Sequence, residues 1–324
     1  PCSIRMLVML ELIMFAKSAG PIARVWNILL LASLFAGASA FSLHASPSID
    51  MSFDNVRSRA EDNDPYYQAA LAFIYLNGEK GQKISIPQFR SWAAKSSAQA
   101  HPLGLFAMGY VGQLDNDPNK TKRFYRRAFG PSEGKLIKMA AEGDALASYC
   151  LGRLFLSDAL LPEIPKDPRL AALHFRIAAD RGHETSRVQY AVFRIEGKVV
   201  DKNEAEGFAM LLQASKKDLP AAHYFLGRAY FEGFGVEIND NRALVHMVAA
   251  AELNYQTAQL SAAQFYAKGV ASPVNWELAA KYAGMAAASG HAKAGELFKE
   301  YEKKRLESPP LDPQPSVRVT VPSP

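Results

Sequence analysis

Cysteine is nearly absent from this chain, which has 324 residues and two thiols, Cys2 and Cys150. Cys2 lies in an N-terminal segment that we expect to be removed, so the mature protein would hold one thiol and no internal disulfide. Cys150 lies in the sequence Ser-Tyr-Cys-Leu-Gly, a pattern typical of a buried or half-buried position in a helix. We therefore interpret Cys150 as a structural residue rather than a nucleophile.

The sequence also lacks a strong excess of either charge, and it lacks the common catalytic motifs. Lysine and arginine number 37 against 32 acidic residues, and the net charge of +5 is far below the clustered basicity that nucleic-acid binding requires. No Gly-x-Ser-x-Gly elbow, phosphate-binding glycine loop or His-Glu-x-x-His pair is present. We therefore expect no enzyme activity, no catalytic residue, no metal, no cofactor and no nucleic-acid partner.

Long hydrophobic runs are confined to the N-terminal region. Two basic residues precede the apolar run Val25–Ala36, and an Ala-Ser-Ala pattern ends at Ala40. These features predict a signal peptide over 1–40 that is cleaved after Ala40, with Met14 as the most compact start, and hence a periplasmic or secreted protein. The alternative is an uncleaved N-terminal segment that tethers the protein to a membrane, although the run is short for a span and contains Asn27.

By contrast, residues of similar type recur at an interval of 36 residues along the second half of the chain. Four residues that tolerate a left-handed backbone recur at this interval, namely Gly182, Asp218, Asn254 and Gly290. Four good N-cap side chains recur at the same interval, namely Asp167, Asn203, Asn239 and Asn275. Because residues that start helices and residues that end them follow the same interval, the sequence predicts an array of helix-turn-helix repeats.

The array is expected to occupy 63–304. A polar linker is predicted over 41–62, and a disordered proline-rich tail over 305–324. Within the array, Gly130-Pro131-Ser132 is predicted to split one helix into two. Lys299 replaces a small residue of the repeat and is expected to mark the solvent-facing terminal helix.

One unit shows the order of residues most clearly. It carries Ala222, Leu226-Gly227, Tyr230, Gly233-x-Gly235-Val236, Asn239, Ala243 and Ala249-Ala250. This order resembles the Sel1-like repeat, a relative of the tetratricopeptide repeat. The resemblance implies an all-α fold, a right-handed superhelical α/α solenoid of about six Sel1-like helix-turn-helix repeats.

The resemblance also implies a class of function. It suggests a non-enzymatic scaffold or regulator of the bacterial cell envelope that binds a protein or peptide in its concave groove, and we expect a monomer. A cysteine-rich branch of the family is linked to β-lactam binding or hydrolysis, but that branch closes each repeat with a disulfide. Because this chain has one mature thiol, an enzyme of that kind is the weaker alternative.

The histidines follow the same interval. His174 and His246 lie two intervals apart, at a position where other units carry Trp, Met or Tyr, so we interpret both as packing residues rather than ligands or bases. His183 and His291 each follow a turn glycine and are explained by their place in the repeat.

Candidate binding residues lie on the first helix of each unit, because the first helices of related repeats line the groove. The positions expected to be exposed there are Tyr110, Gln113, Tyr149, Arg153, Tyr224, Arg228, Phe231, Glu232 and Gln264. Tyrosine and arginine concentrate binding energy at interfaces. The alternative is that some of these side chains only pack against neighbouring helices.

A basic segment is the last candidate. Lys120, Lys122, Arg123, Arg126 and Arg127 surround Phe124 and Tyr125. An anionic partner, such as a lipid headgroup surface or an acidic protein, is one interpretation, and it leaves open peripheral contact with a membrane. The other is a solvated helix face whose aromatic side chains pack inward.

Overall fold

The computed structural model describes residues 51–129, 135–160, 164–291 and 293–308. The predicted signal peptide, the start of the predicted linker and most of the predicted tail lie outside these ranges. The described residues form an all-α repeat solenoid of fifteen helices with no strand, which confirms the predicted fold class. In chain order the helices are α1 Phe53–Glu61, α2 Pro65–Asn77, α3 Ile86–Ala98, α4 Pro102–Leu114, α5 Pro118–Phe129, α6 Lys135–Ala141, α7 Ala145–Phe155, α8 Pro168–Asp180, α9 Glu184–Glu196, α10 Glu204–Ser215, α11 Pro220–Glu232, α12 Asp240–Glu252, α13 Gln256–Lys268, α14 Trp276–Ala288 and α15 Ala294–Glu307.

The helices begin where the sequence predicts. Asn203, Asn239 and Asn275 are N-caps whose side chains accept a hydrogen bond from the backbone N–H three residues later. Asp167 caps α8 in the same way, accepting from the N–H groups of Arg169 and Leu170. Each cap satisfies a backbone donor that the helix itself leaves unpaired, which is worth about 1 kcal/mol.

The turns between helices also follow the interval. Gly182, Asp218, Asn254 and Gly290 all have a positive φ, of 88°, 51°, 66° and 89°. Glycine reaches this region without strain, and aspartate and asparagine reach it more readily than other side chains. The 36-residue interval therefore records a repeated backbone geometry.

Two predictions on boundaries have outcomes in the described residues, and a third stays a prediction. Helix α5 ends at Phe129 and α6 starts at Lys135, but 130–134, where one helix is predicted to split into two, lie outside the described residues. Helix α1 occupies part of the predicted linker and buries Val56 and Ala60, so the described part of that segment is packed structure rather than linker. Lys299 is exposed on the last helix, as expected for the end of the array.

The helices form two compact units. Over the described residues, the first unit combines the chain up to Ala70 with Arg90–His183, and the second combines Leu71–Phe89 with the chain from Glu184 onward. The first unit contains α4 to α8, which carry the residues of the candidate site below.

In the second unit, the loop after α2 contacts a turn that is distant in sequence. The Ile84 N–H donates to the Leu253 carbonyl, and the Asn254 side-chain amide donates to the Ile84 carbonyl, each at 3.2 Å. Contacts in a simple repeat array join neighbouring repeats, whereas this pair spans 170 residues. The loop therefore ties an early segment of the chain to a late repeat within the second unit.

None of the helices in the described ranges is both long and apolar enough to cross a membrane.

Candidate functional site

The nine predicted binding residues are divided between the two units. Tyr110, Gln113, Tyr149 and Arg153 belong to the first unit, where they lie close together on α4 and α7. Tyr224, Arg228, Phe231, Glu232 and Gln264 belong to the second unit, on α11 and α13. The two groups are considered separately.

Arg153 is the centre of the first group. Its Nη1 donates to the Tyr149 hydroxyl at 2.9 Å, one helical turn earlier on α7. Its guanidinium carbon lies 4.2 Å from the ring centroid of Tyr110 on α4, and 5.7 Å from that of Tyr149. Both distances lie within the range of cation–π attraction, so two tyrosines hold the half-buried guanidinium in place. We call Arg153, Tyr110 and Tyr149 the arginine–tyrosine cage.

The guanidinium of Arg153 has no acidic partner among the described residues. Among the described residues, no aspartate or glutamate forms an ion pair with Arg153, and its hydrogen bond to Tyr149 is its one polar contact there. Arg187 and Arg228 of the second unit differ, because they pair with Glu184 at 3.0 Å and with Glu232 at 2.9 Å. A guanidinium is always charged in proteins, so Arg153 presents a partly desolvated positive charge that no described carboxylate neutralises.

A second hydrogen-bonded chain lies beside the cage. The Tyr125 hydroxyl donates to Gln113 Oε1 at 3.1 Å, and Gln113 Nε2 donates to Ser157 Oγ at 3.0 Å. Burial raises the pKa of Tyr125, which keeps its phenol neutral and able to donate. Both the oxygen and the nitrogen of the Gln113 amide are thus hydrogen-bonded, which fixes the orientation of this side chain on α4, the helix that also carries Tyr110.

Glycine at 109 makes this arrangement sterically feasible. A Cβ at Gly109 would lie 2.2 Å from the Tyr125 ring, so only glycine lets α5 bring Tyr125 against α4. The Tyr125 ring then stacks on Phe106, with centroids 4.9 Å apart. The small residue of the repeat therefore allows α4 and α5 to pack closely and brings Tyr125 within reach of Gln113.

Tyr149 corrects one prediction. It was expected to be exposed on the groove, but it is 1% exposed. Its ring packs against His183, with centroids 4.7 Å apart, and against Phe175 of α8. The second helix of its own repeat covers it, so Tyr149 orients Arg153 and does not itself face a partner.

The predicted residues of the second unit form a different arrangement. Arg228 and Glu232 make a two-point pair on α11, Nε to Oε1 at 2.9 Å and Nη2 to Oε2 at 3.2 Å. Tyr224 packs on Tyr255, and Phe231 is 43% exposed beside Phe265. Gln264 is half-buried. Internal pairing therefore occupies the guanidinium edge of Arg228.

Arg228 also borders a cavity of about 270 Å³ in the second unit. The cavity is lined by Val192, Ile195, Glu196, Lys198, Lys202, Phe225, Arg228 and Phe234. Each cation there has an acidic neighbour, since Lys198 pairs with Glu196 at 3.7 Å and Lys202 pairs with Glu204 at 2.6 Å. The opening is apolar with balanced charge.

The predicted basic segment is helix α5, and its aromatic residues are arranged in two ways. Tyr125 packs inward, as the solvated-face interpretation expects. Phe124 remains partly exposed, and the guanidinium carbons of Arg123 and Arg127 lie 5.0 Å and 5.9 Å from its ring centroid. Lys120 pairs with Asp115 at 2.7 Å. The positions of Lys122 and Arg126 on α5 complete the basic segment.

Among the described residues, Cys150, His174 and His246 pack against other side chains of the helices. Cys150 is buried, and burial raises the pKa of its thiol, which keeps it protonated. His174 stacks on Phe155 and His246 on Tyr230, so both pack against aromatic rings as the repeat position predicts. In the described part of the chain, no three His, Cys, Asp or Glu side chains come together in a way that could hold a metal.

Sequence reasoning missed His223. Its Nδ1 lies 3.0 Å from Nδ1 of His246, and both side chains are buried between α11 and α12. One imidazole must donate and the other accept at these atoms, so at most one of the two rings can carry a proton on both nitrogens while the contact is kept. His223 has no histidine one interval away, which is why the repeat comparison did not single it out.

The sequence profile of the Sel1 repeat matches six stretches of the chain, 65–101, 102–129, 145–183, 186–219, 220–255 and 257–291, which together exceed half of its length. The chain belongs to the Sel1 repeat family. Each matched stretch contains two consecutive helices, from α2 with α3 to α13 with α14, while α1, α6 and α15 fall outside the matches. Sel1 repeats generally act as protein-interaction scaffolds.

Among curated proteins, this Sel1 repeat chain is similar to chitin synthase regulatory factor 3 of Schizosaccharomyces pombe. The two are 24% identical over 192 residues, which are 58% of this chain and 20% of the yeast protein. The matched part thus spans about a fifth of the length of that relative.

Similar solved structures are also Sel1 repeat proteins. The crystal structure of c5321, a protective antigen of uropathogenic Escherichia coli strains, is 21% identical with a TM-score of 0.47, and covers 86% of this chain and 57% of that chain. A Sel1 repeat protein of Oxalobacter formigenes is 20% identical with a TM-score of 0.42, and covers 91% of each chain.

Proposed function

We propose that this Sel1 repeat protein is a non-enzymatic scaffold or regulator that binds a protein or peptide partner. The contact surface in the first unit is formed by α4 and α7, with Arg153, Tyr110 and Gln113 as its centre. The observation that carries the proposal is the arginine–tyrosine cage, which combines the two residue types that dominate interface energetics around a charge that no described carboxylate neutralises.

The cellular setting is part of the same proposal. The apolar run Val25–Ala36 and the Ala-Ser-Ala pattern support export, so the protein would act in the periplasm or outside the cell, in a bacterial envelope assembly. We also propose that it acts as a monomer. A membrane-tethered adaptor with an uncleaved N-terminal segment is the alternative. Mass measurement of the mature N-terminus distinguishes them, because a chain that starts at Phe41 has lost the tether.

The non-enzymatic part rests on the described chemistry. The buried, protonated thiol of Cys150 and the buried pair His223 and His246 offer no activated nucleophile or base in a solvent-accessible site. A β-lactam hydrolysis assay tests the weaker alternative. Turnover that a single substitution abolishes would replace the scaffold proposal with an enzyme.

The decisive experiment for the scaffold is site-specific crosslinking in the native host. A photoreactive side chain at Gln113 should capture a defined protein, whereas the same group at Lys299 on the terminal helix should not. Arg228→Gln is the matched control for Arg153→Gln, because both remove one groove-predicted arginine. Capture from Gln113 that is the same in the Arg153→Gln and Arg228→Gln variants would exclude the cage as the contact.

The basic helix α5 supports a second contact of lower priority. Phe124, stacked under Arg123 and Arg127, presents both an aromatic ring and uncompensated charge, which fits an anionic surface. Sedimentation with vesicles of anionic lipid and of neutral lipid tests it. Equal sedimentation with both kinds of vesicle would exclude an electrostatic membrane contact.

A further inference from the structure

We propose that the arginine–tyrosine cage is a carboxylate-binding site, in which a carboxylate of the bound partner completes the coordination of Arg153. The inference deepens the scaffold proposal and rests on it, because it names the chemical group by which the partner is recognised. The carboxylate is either an Asp or Glu side chain or the C-terminus of a peptide.

One edge of the Arg153 guanidinium has no acceptor among the described residues. Arginine has five N–H donors in a planar fork, and Arg153 uses Nη1 for the Tyr149 hydroxyl. Among the described residues, Nε and Nη2 donate to no acceptor, and neither is sealed from solvent. These two groups face the same direction and match the two oxygens of a carboxylate.

Two tyrosines hold this edge of the guanidinium in a fixed orientation. The ring of Tyr110 lies against the guanidinium at 4.2 Å, and the Tyr149 hydroxyl fixes one nitrogen, so the fork is held before a ligand arrives. Arg153 therefore loses less conformational freedom on binding than an exposed arginine does, which favours affinity. In the second unit, Nε and Nη2 of Arg228 donate to the two oxygens of Glu232. A partner carboxylate would accept from the same two atoms of Arg153.

No acidic side chain among the described residues competes with a ligand for Arg153. Asp144 is the N-cap of α7, the helix that carries Arg153, but both of its carboxylate oxygens already accept a hydrogen bond. Oδ1 accepts from the Ala147 N–H at 2.7 Å, and Oδ2 accepts from the Tyr66 hydroxyl at 2.9 Å. Arg153 lies at the opposite end of the same helix. No described acid is therefore available to neutralise the cage.

A purely structural role would also place a cation here, because the C-terminal end of a helix attracts positive charge. That role needs no free fork and no bound anion. The two interpretations differ in what happens to the Arg153 side chain when a small carboxylate is added, which makes the site testable without knowing the partner.

The test uses the full chain and nuclear magnetic resonance of arginine side chains. The probes are N-acetylglutamic acid amide for a side-chain carboxylate, N-acetylalanine for a C-terminal carboxylate, and N-acetylalaninamide as the neutral control. The Arg153 Nε–H signal, assigned by its loss in Arg153→Lys, should shift in a saturable way with a carboxylate and not with the neutral amide. The stronger of the two carboxylate probes identifies the source.

Two variants complete the design. Because Lys cannot reproduce the planar fork, Arg153→Lys should weaken carboxylate binding about tenfold or more, measured from the Tyr110 ring signals. Arg228→Lys should leave that binding unchanged. Circular dichroism and thermal melting establish that both variants are folded, and Tyr110→Leu should reduce affinity in a folded protein by removing the ring that orients the fork.

Several outcomes would overturn the inference. They are an Arg153 signal that does not respond to either carboxylate, an equal response of the Arg228 signal, equal binding by Arg153→Lys, or a response to inorganic phosphate at least as strong as to the carboxylates. The first three would leave crosslinking from Gln113 intact if the scaffold proposal is correct, so the failure of the carboxylate site is distinguishable from the failure of the scaffold.

Discussion

The buried histidine pair makes the stability of this protein depend on pH in a defined window. His223 and His246 face each other with Nδ1 atoms 3.0 Å apart, and they share one proton between these atoms. Protonating the accepting ring on Nδ1 would place two N–H groups against each other, so the contact holds with at most one ring charged. Burial, His223 and Arg242 lower the pKa of His246 to about 4, and burial lowers the pKa of His223 despite Asp218, which lies 3.6 Å from its Nε2.

The direction of the effect follows from proton binding. An unfolded histidine titrates at about 6.5, above the folded value of His246, so the unfolded state binds more protons between these pH values. Stability is therefore complete above about pH 6.5 and falls as the pH falls towards 4. The difference between the two pKa values corresponds to about 3 kcal/mol for His246.

Urea unfolding between pH 7.5 and 4 measures this loss. Burial also lowers the pKa of His174 to about 4, so its titration overlaps this range and the comparison needs a variant that removes only the pair. His223→Gln with His246→Met uses the side chains found one interval away, Gln259 and Met210. The variant should lose about 3 kcal/mol less than the wild type over this window. An identical pH dependence of the free energy of unfolding in both proteins would refute the reasoning.

Three further predictions concern single residues. Gly109→Ala should destabilise the protein by about 1 to 3 kcal/mol, because its Cβ would lie 2.2 Å from the Tyr125 ring, whereas Gly295→Ala, with no atom within 4 Å, should not; equal midpoints in urea would contradict this. Asn254→Gly should cost about 1 kcal/mol through the lost bond to Ile84, and Asn254→Ala about 1 kcal/mol more through strain at φ 66°. The Cys150 thiol should react with a thiol reagent only when the protein unfolds, and rapid labelling of the native protein would disprove its burial.

Much of the candidate site was predictable as a set of positions but not as a geometry. Tyr110, Gln113 and Arg153 were predicted from their places in the first helices, and the structure brings them together. Tyr149 occupies an equivalent place, yet it is buried, because packing against His183 and Phe175 depends on the second helix of its repeat. Position in a repeat determines which helix a residue lies on, but not what covers it.

Two features could not be predicted from the interval. Helix α1 lies in a segment without repeat signals, and it forms because Val56 and Ala60 find an apolar surface to pack against. The bond between Asn254 and Ile84 joins residues 170 apart, and no local pattern specifies such a partner.

The sequence by itself determined where the second helices of the later repeats begin and where they end, because capping and left-handed turns depend on a few neighbouring residues and on the side chain at one position. It also determined the repeat, since the same local rules recur every 36 residues. The tertiary structure alone decided that Arg153 lies against Tyr110 with no described acid beside it, and that His223 faces His246. Those contacts join different helices, so they depend on how side chains pack across the repeats, a property that no single segment of the chain contains.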